Sequence, residues 1–318
     1  MTEARRGVLL GSSAYALWGL SALYWPLTEP TSPLEIMALR AVFAPVAVGL
    51  LVLALGRWRG VLALFKQGRT LALLAVASLL TTVNWILFIW STMNGHVVDA
   101  SLGYFITPLV SVAFGVIVFR ERLRPWQWAA IGLGAVAVLV LTVGYGGPPW
   151  IALGLALTFG SYGLIKKQLN AGAIETLAVE TALMLPFALA YVVVLQTRGE
   201  ATFGHVSPAN TLLGIGAGFV MTVPMLLYSA AATRIPLSLT GMLQYIEPVV
   251  QFLVGLLVFA EPMPPARWAA AALLWIALTA LAADGFMARR PAARPAPSRS
   301  ARSSRTGTSA ARDRAPRR

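Results

Sequence analysis

The stretch PLVSVAFGVIVFRERLRPWQWAA, residues 108–130, occurs twice in the chain. Moving forward by 140 residues gives PVVQFLVGLLVFAEPMPPARWAA, residues 248–270, with no gap. Ten of the 23 paired positions are identical, among them Pro108/Pro248, Gly115/Gly255, Glu121/Glu261, Pro125/Pro265 and Trp128/Trp268. Apolar composition produces chance matches of Val and Ala, but it does not set Pro, Glu, Pro and Trp at the same four offsets. The chain is internally duplicated, and duplication fixes the architecture before single residues do. The register extends upstream, pairing Glu35 with Glu175, Arg40 with Glu180, and Thr82-Val83 with Thr222-Val223.

The duplicated material is apolar. Of 318 residues, 58% are hydrophobic and 12% charged, about half the charge of a soluble domain, and the mean hydropathy is +0.73. This is the composition of an integral membrane protein. With no cysteine and two histidines, His96 and His205, neither a disulfide framework nor a thiolate or histidine metal site is available. No cofactor is expected.

A membrane-spanning helix needs about 20 largely apolar residues. Ten such runs are predicted: 7–27, 34–55, 71–93, 97–119, 126–144, 149–165, 174–195, 211–232, 236–259 and 267–287. They are too long and too continuous for the alternating strands of a membrane barrel. Arg5 and Arg6 ahead of the first run resemble an export signal. That run lacks a small-residue cleavage site and ends in Tyr24 and Trp25, which suits a retained helix with an interfacial aromatic end.

Lysine and arginine crowd alternate loops. Arg5 and Arg6 precede the first run; Arg57, Arg59, Lys66 and Arg69 follow the second; Arg120, Arg122 and Arg124 follow the fourth; Lys166 and Lys167 follow the sixth; and Arg234 follows the eighth. The other side has Arg198 and Arg267. The positive-inside rule then puts both termini in the cytoplasm. Five spans per half is an odd number, so the second half enters the membrane upside down. The repeat agrees: arginines flank Glu121, whereas Ala260, Pro262 and Pro264 surround Glu261. The predicted fold is all-α and polytopic, ten transmembrane helices in two inverted five-helix repeats, residues 1–145 and 146–287. Residues 288–318 carry ten arginines and one aspartate among Pro, Ala and Ser. They read as a solvated cytoplasmic tail, disordered, able to meet anionic lipid.

Inverted repeats in membranes build secondary transporters, whose substrate site lies near the midplane between the repeats. Proline marks candidate helix breaks along such a path: Pro45 and Pro186 in the second helix of each half, Pro108 and Pro248 in the fourth, and Pro224 in the eighth. Charges inside spans are costly, roughly 2.5–3.5 kcal/mol on insertion scales, so they face a cavity or pair. Arg40 and Glu180 are repeat equivalents, expected either as an ion pair near the pseudo-twofold axis or as snorkelling helix-end groups. Glu247, just before Pro248 in QYIEP, could take and release a proton as the two faces alternate, although its repeat partner Thr107 is uncharged. Asn84, Trp85, Trp90, Tyr104, Tyr162, Gln244 and Tyr245 pair apolar faces with single polar handles, as a site for an amphipathic organic molecule requires, and as ordinary helix packing also uses. Asp99 and Asp284 read as interfacial. No phosphate-binding loop, GxSxG or HExxH is present, so no enzyme is indicated and transport by this chain alone runs on gradients.

The segments GVLLGSSAYALWGLSALYW (7–25), NWILFIW (84–90), ASLGYFITPLV (100–110), FRERL (119–123) and LQYIEPVVQFL (243–253) resemble the RarD branch of EamA-type permeases in the drug/metabolite transporter superfamily. The resemblance spans nearly all of residues 7–287. It implies a bacterial inner-membrane transporter of two EamA domains working by alternating access, and a link to chloramphenicol sensitivity. It supplies no substrate and no ion-binding residues. The partners expected are the bilayer, a small organic metabolite or drug, and protons as coupling ion, without nucleic acid; a monomer and a homodimer both fit. Export as the direction rests on analogy. A passive facilitator and, further off, a membrane sensor or enzyme are the competing readings.

Overall fold

The computed structural model describes residues 2–120, 122–169, 171–232, 234–236, 239 and 242–287. Glu121 and the arginine tail lie outside the described residues. Among those described, the chain is helical throughout, with no strand. The helices are α1 (Glu3–Leu20), α2 (Pro33–Ala54), α3 (Trp58–Phe65), α4 (Gly68–Met93), α5 (Val97–Phe119), α6 (Pro125–Tyr145), α7 (Trp150–Gln168), α8 (Ala173–Arg198), α9 (Pro208–Gly216), α10 (Thr222–Ala232), α11 (Ile246–Leu253) and α12 (Pro265–Met287). Two short 3₁₀ turns follow α1, and a π turn, Val254–Val258, continues α11. Five helices, α2, α4, α5, α6 and α8, are each long and apolar enough to cross a bilayer.

Local chemistry sets the helix ends. Ser32 caps α2, its hydroxyl accepting from the Glu35 amide, with Pro33 in the first turn where no donor is missed. Ser207 and Pro208 repeat the arrangement at α9. Gly146 and Gly199 end α6 and α8 with φ of 70° and 69°, a conformation open to glycine without strain. Arg120 and Ala260, repeat partners at the end of the duplicated apolar run, both adopt left-handed φ of 53° and 48°. The two copies therefore share a backbone kink that neither residue type announces.

Ten predicted spans correspond to α1, α2, α4, α5, α6, α7, α8, the pair α9/α10, α11 with its π turn, and α12. Two depart from continuity. The eighth is interrupted between Gly216 and Thr222. Gly218 sits there against α2 so tightly that a Cβ would come 2.5 Å from Phe43. In the ninth, α11 opens at Ile246 after a turn at Gln244 and Tyr245, and residues 237, 238, 240 and 241 lie outside the described residues. The loop after α2 contains the short α3, whose Leu64 is buried while Trp58, Leu62 and Phe65 stay exposed. The proline expectation needs correction in the same terms. Pro45, Pro108 and Pro186 lie inside unbroken helices. Each removes one donor, but neighbouring turns hold, and around Pro108 the hydroxyls of Thr107 and Ser111 donate to the carbonyls of Gly103 and Thr107. Pro224 and Pro248 occupy the first turns of helices that begin after a break.

Helix packing follows the duplication. Exchanging α1 with α7, α2 with α8, α4 with α9/α10, α5 with α11 and α6 with α12 maps the main contacts onto themselves. The pairs α2–α8, α5–α11 and α6–α12 are their own images; α5–α7 becomes α11–α1, α4–α7 becomes α10–α1, and α2–α9 becomes α8–α4. Apolar layers fill the contacts, one around Leu102, Phe105, Leu141 and Leu274, another around Trp25, Ile36, Phe88 and Leu155. Outside, large apolar side chains are bare: Val143 is 83% exposed and Phe187 71%. Water would not tolerate such a belt on a monomer, but hydrocarbon matches it.

Candidate functional site

Arg40 stands seven residues into α2. Its guanidinium lies over the Trp85 ring of α4, 4.1 Å from the centroid. Nη1 points at Met37 Sδ, 3.9 Å away; Nε is buried without an acceptor, and Nη2 makes no hydrogen bond. The ion pair with Glu180 is not formed. Glu180 instead accepts from Lys166 Nζ at 2.7 Å and Tyr162 Oη at 3.3 Å.

The reason is geometric. Glu35 at the start of α2 touches Thr202 beyond the end of α8, while Glu175 at the start of α8 touches Arg57 beyond the end of α2. The helices are thus antiparallel. Arg40 and Glu180 each lie about 10 Å along their own helix, counted from opposite ends, which leaves roughly 12 Å between their levels in a helix about 33 Å long. Equivalent depth from opposite faces separates them.

Trp85, Asn84 and Tyr104 gather with Arg40. Asn84 is buried and its amide is saturated: Nδ2 donates to Leu155 O (3.1 Å) and Thr158 Oγ1 (2.9 Å) of α7, and Oδ1 accepts from Tyr104 Oη (3.0 Å) of α5. Three helices are thereby pinned at one level. The Tyr104 ring meets Phe88 and Phe159 edge-on, and Phe159 stacks on Tyr162, carrying an aromatic wall from Arg40 towards Glu180.

Glu247 lies close enough to Tyr104 to interact with it electrostatically. It accepts one long bond, 3.4 Å, from Gln251 Nε2. Among the described residues no cation comes within ion-pair distance of it. Gln251 is almost fully enclosed and its Oε1 has no partner. Arg40, Tyr104 and Glu247 are each partly accessible, and Arg40 and Glu247 both interact electrostatically with Tyr104. With Trp85 and Asn84 of α4 they form a cluster carried by α2, α4, α5 and α11.

Five candidates fall outside it: Tyr162 and Glu180, which meet Lys166, and Gln244, Tyr245 and Trp90. Gln244 is exposed, and Tyr245 packs into the apolar layer of α5 and α12. Trp90 stacks on His96 with planes 9° apart and meets Trp150, at the same end of the fold as Glu35. That end holds a network unforeseen from sequence. Arg267 Nη2 donates to Asp99 Oδ2 at 2.8 Å, Arg267 Nε to Tyr145 Oη at 2.8 Å, and Tyr145 Oη donates to Asp99 Oδ1. A cavity of about 460 Å³ adjoins it. Glu261 accepts from the amides of Val97 (2.5 Å) and Val98 (3.0 Å), so the repeat glutamate caps α5 from the other half. Asp99 was expected at an interface with water and is instead a buried ion-pair partner. The available signal was Arg267 itself, a rare cation on the side poor in cations. The aromatic trio Tyr15, Trp18 and Tyr228 between α1 and α10 is also unforeseen. No three His, Asp or Glu side chains gather as a metal site among the described residues.

The profile of the EamA-like transporter family matches residues 5–143. Protein RarD of Streptomyces exfoliatus is 51% identical over 92% of this chain and 93% of its own length. The chain belongs to the EamA-like transporter family. Further EamA-like relatives include protein RarD of Escherichia coli K12, 36% identical over 91% of this chain and 97% of the relative, and the chloramphenicol-sensitive protein RarD of Pseudomonas aeruginosa, 30% identical over 92% and 99%. A solved crystal structure, 19% identical, superposes with a TM-score of 0.58 over 89% of this chain and 99% of that one, which places the helices in a known fold. The EamA-like transporter described here is thus a multi-pass bacterial membrane protein.

Proposed function

We propose that this EamA-like protein is a secondary active transporter that exports a small organic metabolite or drug across the bacterial inner membrane by alternating access. Residues 1–145 and 146–287 act as the two repeats, with both termini cytoplasmic. The observation that carries the reading is a cluster inside the helix bundle: a cation on an aromatic face, a saturated amide–phenol pair, and a carboxyl group without a counter-cation among the described residues. Charged groups inside spans are normally paired away; groups left without a partner are available to a passenger. Relatives named as uncharacterized transporters, in Vibrio cholerae and Pseudomonas aeruginosa, support the assignment.

Glu247 is the proposed proton carrier. A carboxyl group enclosed by protein, with one weak donor and no cation, changes charge when access to water changes sides. Pinned ends at Glu35–Thr202 and Asp99–Arg267 would open the outer side, and Arg57–Glu175 the inner.

Purified protein in liposomes under an imposed proton gradient tests this. Substrate candidates come from an untargeted comparison of metabolites between deletion and overexpression strains. Flux that follows the gradient in the wild type and loses it in Glu247→Gln is expected. Flux indifferent to the gradient in both would leave a facilitator in its place.

A further inference from the structure

We infer that α3 is a docking face for anionic phospholipid, its apolar arc set among acyl chains and its cations on phosphate headgroups.

The helix joins α2 and α4, each long and apolar enough to cross a bilayer. It therefore lies where one spanning segment turns back into the next, at the boundary between hydrocarbon and water. Its 8 residues make about 12 Å of helix, too short to cross and long enough to rest along that boundary.

The surface of α3 divides by angle. Leu64 is buried with Leu74 of α4 and Val179 of α8, and Val61 packs on the same cluster. Gly60 sits against α8, where a Cβ would stand 3.0 Å from Glu175 Cγ. The helix is thus held on one side and keeps its other faces outward. Trp58, Leu62 and Phe65, at i, i+4 and i+7, form a single outward arc, 46%, 51% and 40% exposed. Arg59 and Lys66, seven residues apart, share the face beside that arc, and both are exposed, as is Arg69 at the start of α4.

Charge names the occupant. Residues 55–70 contain Arg57, Arg59, Lys66 and Arg69 and no acidic residue. Arg57 pairs with Glu175. Arg59, Lys66 and Arg69 make no ion pair among the described residues. Arg59 Cζ lies 5.5 Å from the centre of the Trp58 ring, which holds a cation on the rim of the apolar arc. An indole with a cation at its edge suits the headgroup level of a membrane. A zwitterionic surface would cover the arc and leave three cations uncompensated; an anionic one meets both.

Residues 288–318 also carry ten arginines, so the readout has to be local to α3. The chain has no cysteine, and a single Leu62→Cys in the full-length protein carries a bimane label on the arc. The labelled protein is placed in phosphatidylcholine nanodiscs doped with equal amounts of either brominated-chain phosphatidylglycerol or brominated-chain phosphatidylcholine. Bromine quenches bimane on contact. Both lipids should quench, and the relative binding constant at Leu62 should favour phosphatidylglycerol by about fivefold. Arg59→Gln/Lys66→Gln/Arg69→Gln in the same protein should bring that ratio to about one. A label at Ala63→Cys, turned away from the arc, should be shielded from bromine. Equal affinity for the two lipids overturns the inference. So does a preference that survives the triple variant, which would belong to the tail. No quenching at Leu62 by either lipid means that protein covers the arc, and equal quenching at positions 62 and 63 means that the helix has no lipid-facing side; each overturns it too. Should the triple variant fail to reconstitute, the three single Gln variants are read in its place, each expected to lower the ratio; unchanged ratios in all three overturn the assignment. No flux is measured, so the outcome does not depend on proton coupling.

Discussion

Glu35 and Glu175, 140 residues apart, each open the second span of their own half and each grip the other half. Glu35 accepts from the Thr202 and Phe203 amides at 2.8 and 3.0 Å and from the Thr202 hydroxyl; Glu175 accepts from Arg57 Nη1 at 2.7 Å. One carboxylate has been put to the same use twice, on opposite ends of the antiparallel pair α2–α8.

The two grips differ in strength. Glu35 is 3% exposed and satisfies backbone donors; its replacement by Ala strands two amides and is expected to cost about 2–3 kcal/mol. Arg57 is 55% exposed at its side chain, so Glu175→Ala should cost under about 1 kcal/mol. Thermal unfolding of the purified variants in one detergent checks the order.

The Asp99–Arg267 pair is buried on both sides, with side chains 7% and 10% exposed. Removing one charge leaves the other uncompensated. Asp99→Asn is expected to destabilise by about 3–5 kcal/mol. The double variant Asp99→Leu/Arg267→Met should recover most of that loss, since neither charge then remains. A double variant no more stable than Asp99→Asn would show that the pair does not act as a unit.

Ala260 carries a side chain through a left-handed φ of 48°, which costs an L-residue roughly 1–2 kcal/mol. Ala260→Gly relieves it, less the entropy glycine adds to the unfolded chain, and a rise of a few degrees in melting temperature is expected. A fall would mean that the Cβ contributes packing that outweighs the strain.

Glu247→Gln keeps the size of the side chain and removes its titration. Gradient-driven accumulation should drop at least tenfold, while exchange of labelled for unlabelled passenger at equal pH continues. Loss of both would make Glu247 part of the binding surface rather than the coupling step.

Much of this was legible in the chain itself. Repetition of Pro, Glu, Pro and Trp at fixed offsets gave the two-fold pattern of packing, and apolar run lengths gave the spans. Arg40 and Glu247 stood out by the cost of burying a charge, and Trp85, Asn84 and Tyr104 by pairing an apolar face with one polar handle. Partner choice was not legible. Whether Arg40 meets Glu180 depends on antiparallel helices measuring depth from opposite faces, a property of three-dimensional placement that the alignment of equivalents conceals. Asp99 and Arg267 are 168 residues apart and unrelated by the repeat, so periodicity could not join them. Gln244 and Tyr245 were drawn in by proximity to Glu247 along the chain; at the start of α11 neighbours in sequence point to different surroundings.

An arrangement of helices that returns to itself when its halves are exchanged contains no valve. Turned end for end, the same contacts recur, and nothing in their pattern prefers one direction of flow. Rectification must come from positions where the exchange fails, Arg40 against Glu180 and Glu247 against Thr107 among them, and from the gradients that act on them. Unequal side chains, rather than the pattern of helices, would then decide which way a passenger moves.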